Sequence, residues 1–86
     1  MSFRLSLCLN EGPKQGQSQA AVVATSVDAL LQAAANKLRL KKKEQARCRL
    51  FVWGSGLELE RGRALAGCVR NDDLIAVSVG EEYLGR

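Results

Sequence analysis

The chain has 86 residues, of which 47% are hydrophobic and 26% charged, and its formal net charge is +4. A chain of this length predicts one domain that buries only about 60–65% of its unfolded surface. It contains no histidine, which excludes Ser–His–Asp and Cys–His nucleophilic sites and removes the commonest general base. No apolar run approaches the ~20 residues of a membrane span.

The first 24 residues predict two strands joined by a long loop. Apolar residues alternate with polar ones over Phe3–Leu9, which is typical of a half-buried strand and unlike a secretion signal. Residues 10–19 contain Gly12, Pro13 and Gly16 among polar neighbours and predict a loop. Ala20–Ala24 is the second predicted strand.

A helix is predicted over residues 27–38. Thr25 or Ser26 can cap it, and with Thr25 as the cap Asp28 falls at the third helical position, close to a capping box. The expected apolar face repeats at helical spacing and consists of Val27, Leu30, Leu31, Ala34 and Leu38. Residues 40–44 are then expected to form a basic connector.

The second half of the chain predicts three more strands. Residues 47–53 form the first, in which Leu50 and Val52 share one phase and Phe51 and Trp53 the other. The remaining expectations, in chain order, are a turn at 54–56, a short strand at 57–59, a single helical turn within 62–67, a turn at Asp72-Asp73, a last strand at 74–79 and a polar tail at 81–86.

Residues 47–65 resemble the central stretch of ubiquitin. The run Leu59-Glu60-Arg61-Gly62-Arg63-Ala64-Leu65 is similar to the ubiquitin heptad Leu-Glu-Asp-Gly-Arg-Thr-Leu and differs from it at two positions. The likeness extends to the apolar pattern of residues 69–79. It implies an α+β fold, the ubiquitin-like β-grasp roll of order β-β-α-β-β-β. In that fold a mixed sheet of four to five strands carries one helix on one face, with the first and last strands parallel at its centre.

The resemblance also implies a domain at residues 1–80 followed by the tail at 81–86. The expected inward-facing core is Leu5, Leu7, Val22, Val27, Leu30, Ala34, Leu50, Val52, Leu59, Leu65, Val69, Ile75 and Val77. The chain ends without a Gly-Gly pair, so we expect no conjugated modifier. The positions that match the main recognition patch of ubiquitin are Phe51, Ala76 and Ser78, so that patch is altered.

The first candidate site lies on the outward phase of the sheet. An exposed aromatic pair beside an arginine has the composition of an interface hot spot. We therefore expect a partner-binding surface formed by Arg49, Phe51, Trp53, Ala76 and Ser78. The alternative is structural, with Trp53 folding over the hairpin to cover Leu57.

The second candidate site is a basic patch. Arg49 and the six cations Lys37, Arg39, Lys41, Lys42, Lys43 and Arg47 give seven positive charges, opposed locally by Glu44. The rest of the chain has six positive and eight negative charges, so this stretch accounts for the whole net charge. It predicts either a contact with an anionic partner or a plain solvated connector, and no aromatics interleave with the lysines.

These features predict a non-catalytic ubiquitin-like protein–protein interaction module, as an N-terminal domain of a larger protein or a small adaptor. We expect a cytoplasmic or nuclear monomer, no membrane association, no cofactor and no metal, since Cys8, Cys48 and Cys68 lie in no Cys-x-x-Cys arrangement. The alternative is binding of nucleic acid or another acidic polymer through the basic patch. Residues 72–83 also resemble the end of doublecortin-like domains, which implies a microtubule contact.

Overall fold

The computed structural model describes residues 2–10, 16–62 and 64–80 of the chain. These residues form a small α+β structure with one mixed sheet and one long helix. Within this part of the chain no helix is long and apolar enough to cross a membrane. The elements are β1 (Phe3–Leu9), β2 (Ala20–Ala24), α1 (Val27–Lys37), α2 (Lys42–Ala46), β3 (Cys48–Val52) and β4 (Leu74–Val79).

The four strands follow the order β2-β1-β4-β3 across the sheet. The central strands β1 and β4 are parallel, and Leu7 lies opposite Ile75. Both outer pairs are antiparallel. Parallel neighbours need a crossover connection rather than a hairpin, and the chain between β1 and β4 includes α1. The predicted parallel pairing of the first and last strands is confirmed.

Helix α1 begins at Val27 because Ser26 caps it. The hydroxyl of Ser26 accepts a hydrogen bond from the backbone N–H of Ala29 at 3.1 Å, which satisfies one of the free donors of the first turn. Of the two residues considered as caps, Ser26 therefore fills that role. Asp28 in the first turn and Lys37 in the last turn both complement the helix dipole.

The short helix α2 was expected to be a connector, and that expectation is wrong. The Glu44 carboxylate accepts a hydrogen bond from the backbone N–H of Lys41 at 2.9 Å, as at the start of a capped helix. The side-chain amide of Gln45 donates to the carbonyl oxygen of Leu40 at 2.9 Å. Lysine, glutamate and glutamine also have good helix propensity, so the polar run supports a helical turn.

Two further local expectations differ from the structure. Residues 57–59 form no strand of their own; a single bridge joins Glu58 to Phe51. The described residues of 62–67 form no helix; the backbone N–H groups of Cys68 and Val69 both donate to the carbonyl of Leu65, which closes a turn that begins at Leu65 and has Gly67 at a φ of 85°. The turn at Asp72-Asp73 is confirmed, with Asp72 at a φ of 71°. The predicted tail at 81–86 and residues 11–15 of the long loop lie outside the described residues.

The core lies between α1 and the sheet. Of the predicted inward set, only Val52 is not fully buried; it is half-buried at the end of β3 and packs against the others. Leu30 is 0% exposed. Ala24 and Leu31, which are absent from the predicted set, also belong to this core cluster.

Candidate interaction surfaces

The outward face of the sheet carries a second, smaller apolar cluster. Cys8 and Phe51 lie opposite Ala76 in neighbouring strands, and these three residues are packed together apart from the main core. Trp53 and Leu74 pack at the edge of this cluster. The predicted outward phase of Phe51 is therefore consistent with its position, because inward and outward residues alternate along each strand.

The expected exposure of this face is not found. Phe51 is 3% exposed, and Ala76 and Ser78 are both 0% exposed. The expectation that these three residues are exposed to a partner is therefore wrong. Of the five residues predicted to bind a partner there, only Arg49 and Trp53 retain partial exposure.

Arg49 contributes to the burial of Phe51. Its guanidinium carbon lies 5.1 Å from the centroid of the Phe51 ring, which is within the range of a cation–π contact. The same guanidinium donates to both carboxylate oxygens of Glu58, at 3.0 and 2.9 Å. These hydrogen bonds lower the pKa of Glu58, and burial opposes them. Arg49 is therefore part of a local structural network with Phe51 and Glu58.

Trp53 lies against Gly16. Gly16 has a φ of 74°, and a Cβ atom placed there would lie 2.6 Å from Cζ2 of the Trp53 ring. Leu57, which the structural alternative would bury beneath Trp53, is 39% exposed. The indole thus packs beside the segment that leads into β2.

The apolar residues of β3 and β4 could have indicated this second buried face. Residues 50–53, at the end of β3 and just after it, are all apolar, and five of the six residues of β4 are apolar as well. Continuous apolar runs of this kind are typical of strands that are buried on both faces. Small residues at positions 8 and 76 also leave room for the Phe51 ring beside them.

Residues 37–47, which we call the basic segment, present a different surface. Its cations lie at the end of α1, in the link to α2, on α2 and immediately after it. All six are exposed: Lys37, Arg39, Lys41, Lys42, Lys43 and Arg47. None of the six forms an ion pair with a residue in the described part of the chain.

Most of the other described cations have carboxylate partners. Arg4 pairs with Asp72 at 2.8 Å, Arg49 pairs with Glu58, and Arg61 lies 3.9 Å from a carboxylate oxygen of Asp28. The basic segment contains one acidic residue, Glu44, so its six cations leave a balance of +5. Within the described part of the chain, the positive charge without a carboxylate partner is therefore concentrated there.

Two depressions contain cysteines. The first, about 70 Å³ in volume, lies between α1, α2 and β3, and Cys48 and Arg61 are among its lining residues. Burial raises the pKa of the Cys48 thiol, while the charge of Arg61 opposes the change. The second, about 430 Å³, is lined by Cys68 and turn residues. Among the described residues no group of three or more acidic or cysteine side chains is arranged to hold a metal ion.

Comparisons with known proteins add no assignment. A scan against protein-family models finds no match, and a search of curated proteins finds no significant relative. The fold and the two surfaces are therefore the features of the chain that bear on its function.

Proposed function

We propose that the chain is a non-catalytic interaction module of the ubiquitin-like class, with a β-grasp fold, and that it binds a protein partner. The observation that supports this most is the parallel pairing of β1 and β4 at the centre of a four-stranded sheet. Helix α1 packs on one face of that sheet. This arrangement agrees with the similarity of residues 59–65 to the ubiquitin heptad.

The proposed contact surface is not the outward sheet face. Phe51, Ala76 and Ser78 are already buried within the chain, and a partner gains hydrophobic stabilisation only from apolar area that is still exposed to water. The cations of the basic segment are exposed, so we propose that the partner binds there through charge complementarity.

The test is a partner screen followed by reconstitution. The folded chain and a Leu30→Asp control, which places a charge in the core, are each crosslinked to proteins in a cell extract. Proteins captured only by the folded chain are then purified and titrated by calorimetry. We expect a saturable complex in which the mass of the partner does not change. Failure of every purified candidate to bind, or a covalent change in the partner, would overturn the proposal.

A second candidate function is binding of a polyanion, either nucleic acid or a microtubule surface. The six exposed cations, which have no carboxylate partner among residues 2–10, 16–62 and 64–80, favour it, because phosphate binding by lysine and arginine releases counterions and supplies most non-specific affinity. No aromatic residue lies within residues 37–47, so base stacking has no support there.

This candidate is tested by salt dependence. Binding to duplex DNA and co-sedimentation with microtubules are measured over a series of salt concentrations. For a polyanion binder, the logarithm of the binding constant falls linearly with the logarithm of the salt concentration. The slope is near −0.9 for each DNA phosphate contacted. No binding to either polymer at low salt would exclude it.

A further inference from the structure

We infer that the basic segment docks an acidic segment of a partner protein, one that carries several Asp or Glu side chains within a short stretch. This inference rests on the proposed function, and it adds the chemistry of the partner and the place where that partner binds.

The first step is the electrostatic balance of the surface. Six exposed cations fall within 11 residues of chain, and none is neutralised by a described carboxylate. Like charges this close repel one another, and the repulsion is relieved when opposite charges are brought alongside. Arg4, Arg49 and Arg61, by contrast, each have a carboxylate partner within the chain. An anionic partner is therefore complementary to this surface in particular.

The second step is the way the segment is held. Leu38 and Leu40, which alternate with the cations, are half-buried and pack against the main core. The side-chain amide of Gln45 in α2 donates a hydrogen bond to the carbonyl oxygen of Leu40, which fixes α2 to the preceding link. The cations are thus presented from a folded surface, and ordering them costs less conformational entropy than ordering a free tail.

The position of Glu44 favours an acidic peptide over a phosphate polymer as the partner. Glu44 lies in the middle of the segment, is half-exposed, and holds its carboxylate at the backbone N–H of Lys41. A continuous phosphate backbone crossing the segment would meet this negative charge. Separate carboxylates on flexible side chains can contact the cations on either side of it. The absence of aromatics from the segment also removes the stacking that single-stranded nucleic acids use.

The same observations disfavour a lipid surface. Interfacial membrane binding combines basic residues with apolar side chains that enter the bilayer. The two leucines of the segment, Leu38 and Leu40, are packed against the core cluster instead. An acidic protein segment needs no such insertion.

The test uses a labelled oligo-glutamate peptide, titrated with the intact chain at low salt and followed by fluorescence anisotropy. Lys42→Gln/Lys43→Gln removes two cations of the segment. The matched control, Arg4→Gln/Arg70→Gln, removes two exposed cations and changes the net charge equally. Both lie near the start of β4, whereas the basic segment leads into Cys48, which pairs with the last residue of β4. Surface ion pairs contribute little individually, so we expect the first variant to weaken binding about threefold to thirtyfold. The control should change affinity by no more than about twofold, because charge is screened over about 10 Å.

Three outcomes overturn the inference: no binding of the peptide, equal losses in the two variants, or tighter binding of single-stranded DNA with the same number of charges. Circular dichroism of each variant checks that the fold is retained. The partner screen separates this inference from the proposed function. If a purified partner binds the Lys42→Gln/Lys43→Gln variant with the same affinity as the parent chain, that result would support the proposed interaction module. It would also overturn the inference that the basic segment is its docking site.

Discussion

At the scale of single residues, the ring of Phe51 links the outward cluster to the charged network above it. It packs with Cys8 and Ala76 and lies beneath the guanidinium of Arg49. We expect Phe51→Ala to lower the free energy of unfolding by about 3 kcal/mol, because it removes a buried ring and leaves a cavity. Urea denaturation measures this loss.

The matched control for Phe51 is Leu57→Ala, since Leu57 is 39% exposed and follows the same strand. Its cost should stay below about 1 kcal/mol, in keeping with its partial exposure. Equal costs for the two variants would contradict the structural role assigned to Phe51.

Glu58 should make stability depend on pH in the acid range. The hydrogen bonds from Arg49 hold the folded pKa of Glu58 below its ordinary value of 4.5. As pH falls, the unfolded chain therefore takes up a proton first. The contribution of Glu58 is present above the unfolded pKa and is lost as pH falls through the folded value. With side chains 27% and 35% exposed, water screens the pair, and its contribution at neutral pH is about 0.5–1 kcal/mol.

The measurement compares the parent with Glu58→Gln by urea denaturation from neutral pH into the acid range. The difference in unfolding free energy should shrink as pH falls below 4.5. Effects of the Arg4–Asp72 pair are common to both proteins and cancel in this difference. A difference that is constant with pH would show that Glu58 keeps its ordinary pKa in the folded state.

At the scale of elements, the start of α1 depends on one hydroxyl. Ser26→Ala removes the acceptor for the backbone N–H of Ala29, and we expect a loss of about 1 kcal/mol in unfolding free energy. Thr25→Ala is the control, because Thr25 is exposed and lies one residue before the cap. A larger loss from Thr25→Ala than from Ser26→Ala would mean that the helix begins earlier in solution.

Element α2 shows why a short helix is difficult to predict. Five residues are too few to be stable as an isolated helix. Its order depends on the Glu44 contact to Lys41 and on the Gln45 contact to Leu40. The spacing of Lys41 and Glu44 is a weak local signal, because the N-cap lacks the usual small polar residue.

At the scale of the whole molecule, Leu30 joins α1 to the sheet. Leu30→Ala should lower the unfolding free energy by about 2–4 kcal/mol, from lost transfer energy and a residual cavity. This is a large share of the ~5 kcal/mol that a small domain has available. Thermal and urea denaturation measure the effect, with Gln32→Ala on the exposed side of α1 as the control. A loss below about 0.5 kcal/mol would mean that α1 is not packed as described.

The inward core could be predicted because period-two and helical patterns indicate which side of an element is apolar. The parallel pairing of the first and last strands is implied by the resemblance of residues 59–65 to the ubiquitin heptad, because periodicity does not indicate which strands are neighbours. The outward cluster could not be located in the same way. A polar-to-apolar alternation is absent from β3, so the pattern does not say which face meets water. Whether Phe51 is exposed depends on Arg49, Glu58 and other groups brought over it by the tertiary fold. Whether a cation of the basic segment meets a described carboxylate likewise depends on where those carboxylates lie in space.

The contact between Gly16 and Trp53 makes Trp53 an intrinsic fluorescence probe of one site in the molecule. The chain has a single tryptophan, and its indole lies where the segment leading into β2 meets the outward side of the sheet. All indole emission therefore comes from this one junction. The wavelength of that emission follows the polarity around Trp53, so a loosening of the junction is readable in the native protein without an added dye. The basic segment lies elsewhere in the chain, and the same signal can separate events at the sheet from binding at the cations.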